Sequence, residues 1–154
     1  MTLERKRKDI IGLIGSAFAA MPKYRDVQYF VPVPGNSYPN AATLPSIHID
    51  RSIEAMEDAT NVSRGSNFGL EIIGTVMSAD RLALAKCDIQ DDIEETIYTL
   101  MKTDDFRALA TRIMLMTCDS SPGALSGLVG FQAPILPPFG VVRITGNVVF
   151  QYGI

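Results

Sequence analysis

The only histidine of the chain, His48, lies in the run Leu44-Pro45-Ser46-Ile47-His48-Ile49-Asp50. A hydrolytic site needs a nucleophile, a base and a group that orients the base. Asp50 stands near His48, and Cys87 and Cys118 are formal nucleophiles. Strand alternation, however, turns His48 away from Ile47 and Ile49, toward solvent or a partner. Nothing in the spacing pairs it with either cysteine. The two cysteines are far apart and read as reduced thiols of a cytosolic protein, with a disulfide left open by sequence alone. Acidic residues are densest at Asp88, Asp91, Asp92, Glu94 and Glu95. On a helix these spread around the outer face instead of converging as metal ligands do. Gly123, Gly127 and Gly130 sit in a loop, without the Lys-Ser or Lys-Thr pair of a phosphate loop. The expectation is a chain with no catalytic site, no metal and no cofactor.

Three other features invite a function in binding. Arg5, Lys6, Arg7 and Lys8 form a basic patch. Helical geometry spreads them around the whole circumference, with Arg7 on the apolar stripe. This turn therefore reads as projecting beyond the core or as a frayed arm. It is either a solubilising terminus or a contact for an acidic partner or DNA phosphates. Gly12, Gly15, Ser16 and Ala19 cluster on the face of the first helix opposite its apolar stripe. Glycine within a helix costs about 1 kcal/mol relative to alanine. The face is either tolerated drift or a place where another chain's backbone approaches closely. The third feature is the segment 119–139, long for a loop in a compact domain. It carries Leu125, Leu128, Val129, Phe131, Ile135, Leu136 and Phe139 and no charge after Asp119. Such a segment either folds back onto its own core or docks on another subunit. Pro134, Pro137 and Pro138 stiffen it and lower the entropy lost on docking.

The elements that position these features follow from periodicity. Residues 3–21 read as a helix with Ile10, Ile11, Ile14, Ala17, Phe18 and Met21 in one stripe, ended by Pro22. Residues 27–33 and 44–50 alternate as strands. Residues 51–67 are polar and read as a short helical turn around 52–57 followed by a mobile loop. Residues 68–77 form a strand apolar on both faces, hence central or covered on both sides. Residues 88–102 form a second helix, with Asp88 as its N-cap and Ile89, Ile93, Ile97, Leu100 and Met101 in its stripe. Strands at 112–118 and 140–152 complete the order. Short connections favour antiparallel pairing. Two singly amphipathic helices bury their stripes on one face of the sheet. The fold class is α+β: a mainly antiparallel sheet of about five strands with two amphipathic helices on one face, in a single domain over residues 1–154.

Bulk properties agree. The chain has 154 residues, 47% hydrophobic and 20% charged, with a net charge of −3. This is globular composition, with enough length to bury a core and no charge excess suited to nucleic acid. No apolar run reaches the roughly 18–20 residues that span a membrane. The basic-then-apolar start resembles a signal peptide. Glu4, Asp9, Gly12, Gly15 and Ser16 interrupt it, so it reads as a mature helix.

The opening helix at 10–21 before a Val-rich strand, the strand Leu-Pro-Ser-Ile-His-Ile-Asp at 44–50, and the closing strand at 140–152 ending in Val-Phe-Gln-Tyr resemble the tail terminator proteins of long-tailed bacteriophages, the lambda U type of minor tail protein. The resemblance implies a virion protein that forms a hexameric ring on the finished tail tube. Such a ring stops tube polymerisation, contacts the tube protein, offers a surface to the head–tail connector proteins, and passes DNA without sequence-specific binding. It carries over no catalytic residues. The segment 119–139 is longer than that compact pattern needs, which leaves its place on the ring open. A head–tail connector or tail-completion subunit is the alternative within the same build. A small hydrolase centred on His48 and a DNA-binding accessory protein using Arg5 to Lys8 are the other classes.

Overall fold

The computed structural model describes residues 6–35, 38–60, 63–128 and 130–153, at 57–60, 63, 64, 152 and 153 as backbone alone. Helix α1 (Lys6–Ala19) is followed by β1 (Asp26–Gln28), a 3-10 turn (Ala41–Thr43), β2 (Ser46–Thr60), β3 (Ser63–Met77), α2 (Leu82–Met101), α3 (Asp104–Leu109), β4 (Arg112–Asp119) and β5 (Phe139–Gly153). The strands form one sheet in the order β1-β2-β3-β5-β4. All neighbours pair antiparallel except β1 with β2. The α+β class and the mainly antiparallel five-stranded sheet expected from the sequence are both present.

The helices bury their stripes on one face of the sheet. Ile10, Ile14 and Phe18 of α1 and Ile89, Ile93 and Ile97 of α2 pack with Ile47, Ile49, Phe68, Leu70, Ile72, Ile144 and Phe150. A third helix, α3, adds Phe106, which is fully buried. Thr103 caps α3, its Oγ1 accepting from the Phe106 amide at 3.3 Å. The second helix starts at Leu82, so Asp88 lies inside it and is not the N-cap. Leu82 and Ala85 extend the Ile89 stripe backward at helical spacing and are partly buried against the same core.

Two strands differ from the alternation reading. β1 stops at Gln28 and runs parallel to β2; Pro32 and Pro34, which follow it, cannot donate to a ladder. Residues 51–60 are strand, not a helical turn and loop. Arg51 faces Leu70 while Glu54 faces Phe68, so β2 holds one extra residue there. That bulge breaks the period of two that would have marked the strand. Among the described residues, no helix is long and apolar enough to cross a membrane.

Candidate functional site

The segment 119–139 closes on its own sheet. Leu125 and Phe131 are buried with Ala124 against Ile73 and Val141 on the sheet face opposite the helices, and Leu128 and Ile135 pack partly buried beside them. The Ile135 amide donates to the Pro122 carbonyl at 2.8 Å, and Lys86 Nζ donates to the Ser120 carbonyl at 2.9 Å. Arg143 Nε donates to Glu71 at 2.7 Å, and its Nη1 reaches the Ala124 carbonyl at 3.2 Å. The Asp119 carboxyl accepts from the Ser121 amide and hydroxyl, which hold it below the usual carboxylate range. Of the seven apolar residues of this segment, Leu125, Leu128, Phe131 and Ile135 therefore serve the second core of their own chain, and Phe139 opens β5. Leu136 is 62% exposed. Val129 lies outside the described residues.

The small-residue face of α1 is partly occupied in the same way. Gly15 is buried, and a Cβ placed there would overlap the ring and hydroxyl of Tyr29, which folds back from the end of β1. Gly15 is thus a site of close approach, but the approaching group belongs to its own chain. Gly12 has open space above it, and Ser16 and Ala19 are exposed. Gly12, Ser16 and Tyr29 border an open groove of about 1110 Å³ that reaches Ile49 and Arg51 of β2 and Leu109 of α3.

The basic patch neither projects nor frays where it is described. Arg7 donates from Nε and Nη2 to the two carboxylate oxygens of Glu54, each at 2.7 Å, and its guanidinium lies 5.3 Å from the Phe150 ring centroid. The Arg7 hydrogen bonds hold the Glu54 carboxyl below its ordinary range. Lys6 Nζ donates to the Gln151 carbonyl at 2.8 Å. Lys8 is exposed, and Arg5 lies outside the described residues.

His48 is buried, not turned to solvent: 6% of it is exposed. The Phe30 and Tyr38 rings pack edge-on against it, with centroids at 5.7 and 5.5 Å. Burial lowers its pKa, opposed by the charge of Asp26. Among the described residues, its Nδ1 and the neighbouring Ser46 Oγ have no hydrogen-bond partner. Tyr38 shares a 2.5 Å hydrogen bond with Thr75, and burial pushes its hydroxyl up to about 12. Cys87 and Cys118 are free and exposed, and burial with the charges of Glu94 and Asp119 raises the Cys118 thiol. Among the described residues no three His, Cys, Asp or Glu side chains gather to hold a metal.

The strand expected at 112–118 is β4, but the sequence did not show which strand edges stand open. β1 covers β2 only at 46–48. Among the described residues no strand pairs with the outer edge of β2 from 49 to 60, or with the outer edge of β4. Each edge carries exposed apolar side chains: Ile53 at 87% and Met56 at 59% on β2, and Met116 at 64% on β4. Ile53 lies within the β2 bulge, and Met116 is the extra residue where Leu115 and Thr117 face the consecutive residues Gly146 and Thr145. Unpaired edges are templates for pairing with another chain; these two hold no proline or lysine, and what blunts them is one bulge each and the charges of Asp50, Arg51 and Glu54 on β2 and of Arg112 and Asp119 on β4. Neither a known protein family nor a curated protein matches the chain.

Proposed function

We propose that this protein is a structural subunit that joins copies of itself head to tail into a closed ring, and that the ring is a phage tail terminator. One observation carries the assembly reading. Unlike exposed apolar side chains, Ile53 and Met56 on the uncovered stretch of β2 and Met116 on β4, stand at the two edges of one sheet. A two-fold contact uses one patch twice, whereas a head-to-tail contact needs two unlike patches and closes into a ring when the rotation allows. The tail-end role is supported by the resemblance of residues 10–21, 44–50 and 140–152 to the terminator pattern. On this reading the ring is a hexamer at the neck end of the tail, bound to tube protein on one side and connector on the other, with DNA passing through it. Adding the protein to growing tail tubes tests the role under the electron microscope. Capped tubes of arrested length support it. Rings that leave tube growth unchanged but bind the connector would move the protein to the neck instead.

A further inference from the structure

We infer that the copies join by strand pairing, with β4 of one copy hydrogen-bonded antiparallel to the open stretch of β2 in the next. This rests on the assembly reading above and names its interface.

Direction comes first. β2 is antiparallel to β3, β3 to β5, and β5 to β4, so β2 and β4 of one copy run in opposite senses. A copy placed beyond β2 in the same orientation brings its β4 alongside antiparallel, and the alternation of the sheet continues across the seam.

Level comes second. Arg112 pairs with Val149, Val149 with Asn67, and Asn67 with Ala55. Cys118 pairs with Ile144, Ile144 with Ile72, and Ile72 with Ile49. Residues 112–118 therefore stand at the height of residues 49–55, immediately above the point where β1 stops covering β2 at His48. The two stretches have equal length, and each contains one bulge.

Side chains come third. At this level Arg112 of one copy lies opposite Ala55, Leu115 opposite Arg51 and Thr117 opposite Asp50, so no like charges oppose. Met116, between the levels of Arg51 and Asp50, falls near Ile53 along the seam, and both leave solvent. Backbone pairing gives the contact its register, which two scattered apolar side chains alone would not.

Cysteine cross-linking tests the register. Ala55 and Arg112 are both exposed in the single chain, so Ala55→Cys and Arg112→Cys leave the fold intact. Opposed residues in an antiparallel pair have Cβ atoms about 4.5–5.5 Å apart, close to disulfide reach. In a chain with Cys87→Ser and Cys118→Ser, the double variant should give a reducible ladder of multimers on mild oxidation, and neither single cysteine should give one. A cross-linked dimer from Ala55→Cys alone would mean β2 meets β2 and would overturn the pairing. Oligomers by light scattering without a ladder would also overturn it, leaving the assembly reading standing. A single protomer at every concentration would remove both. In a second arm, Met116→Lys should reduce the oligomer fraction at least tenfold while leaving the urea midpoint of the protomer unchanged. An unaltered oligomer fraction would contradict the interface.

Discussion

Replacing Gly15 with alanine sets two effects against each other. Alanine in a helix interior gains about 1 kcal/mol over glycine. The new methyl group overlaps the far end of the Tyr29 ring, so the ring must swing off Gly15 and loses at most the contact it buries. Tyr29 is 52% exposed, so roughly half of its surface is buried. A buried tyrosine covers about 150–250 Å², so half is about 100 Å², worth about 2.5 kcal/mol at 25 cal/mol per Å². The packing loss wins where the ring gives up that contact, and Gly15→Ala should destabilise the protomer by up to about 1.5 kcal/mol. In a Tyr29→Ala background the loss has already been taken, and the same substitution should stabilise by about 1 kcal/mol. Urea unfolding of the four proteins, at concentrations where a single protomer predominates, gives the coupling directly. Additive effects, with Gly15→Ala stabilising in both backgrounds, would refute the contact and return the whole small-residue face of α1 to an outside partner.

Burial lowers the folded-state pKa of His48, so its contribution is complete above its unfolded value near 6.5 and is lost as pH falls below it. Urea stability should decline between pH 7.5 and 5.5, and His48→Phe should flatten that decline; an identical slope in the variant would contradict the buried imidazole. Glu54 and Asp119, whose pKa values are held low, contribute their losses only in more acid solution. Phe131→Ala should cost about 3 kcal/mol and open residues 119–139 to limited proteolysis before the rest unfolds. Gly146→Ala drives a methyl group into the Met114 carbonyl across the β4–β5 ladder, where the obstacle is backbone, and should cost about 2–3 kcal/mol by thermal unfolding.

What could be read from sequence was what repeats locally. Ile89, Ile93 and Ile97 mark a helix stripe, and Phe68, Leu70 and Ile72 and Val142 and Ile144 mark strand faces, because burial follows the backbone period. β2 was hidden where its bulge put Ser52 and Ile53 out of alternation. α3 was hidden because six residues with one apolar anchor, Phe106, carry no period. Alternation placed His48 on the correct side of β2, away from the helices. Its burial depends on Phe30 and Tyr38 folding over that side, which no local pattern encodes. The loop residues Leu125 and Phe131 looked like surplus apolar surface because their partners, Ile73 and Val141, lie in other strands. Ile53 and Met116 gave no signal at all: a lone apolar side chain becomes notable only once the sheet shows that it stands on an open edge.

The mass of the protein in solution tests the account most directly. Light scattering or native mass spectrometry should give a fixed multiple of 16.8 kDa above two, six on the terminator reading, that persists on dilution until the ring dissociates. A mass of one protomer at every concentration, or a dimer that grows no further, would contradict assembly through two unlike edges.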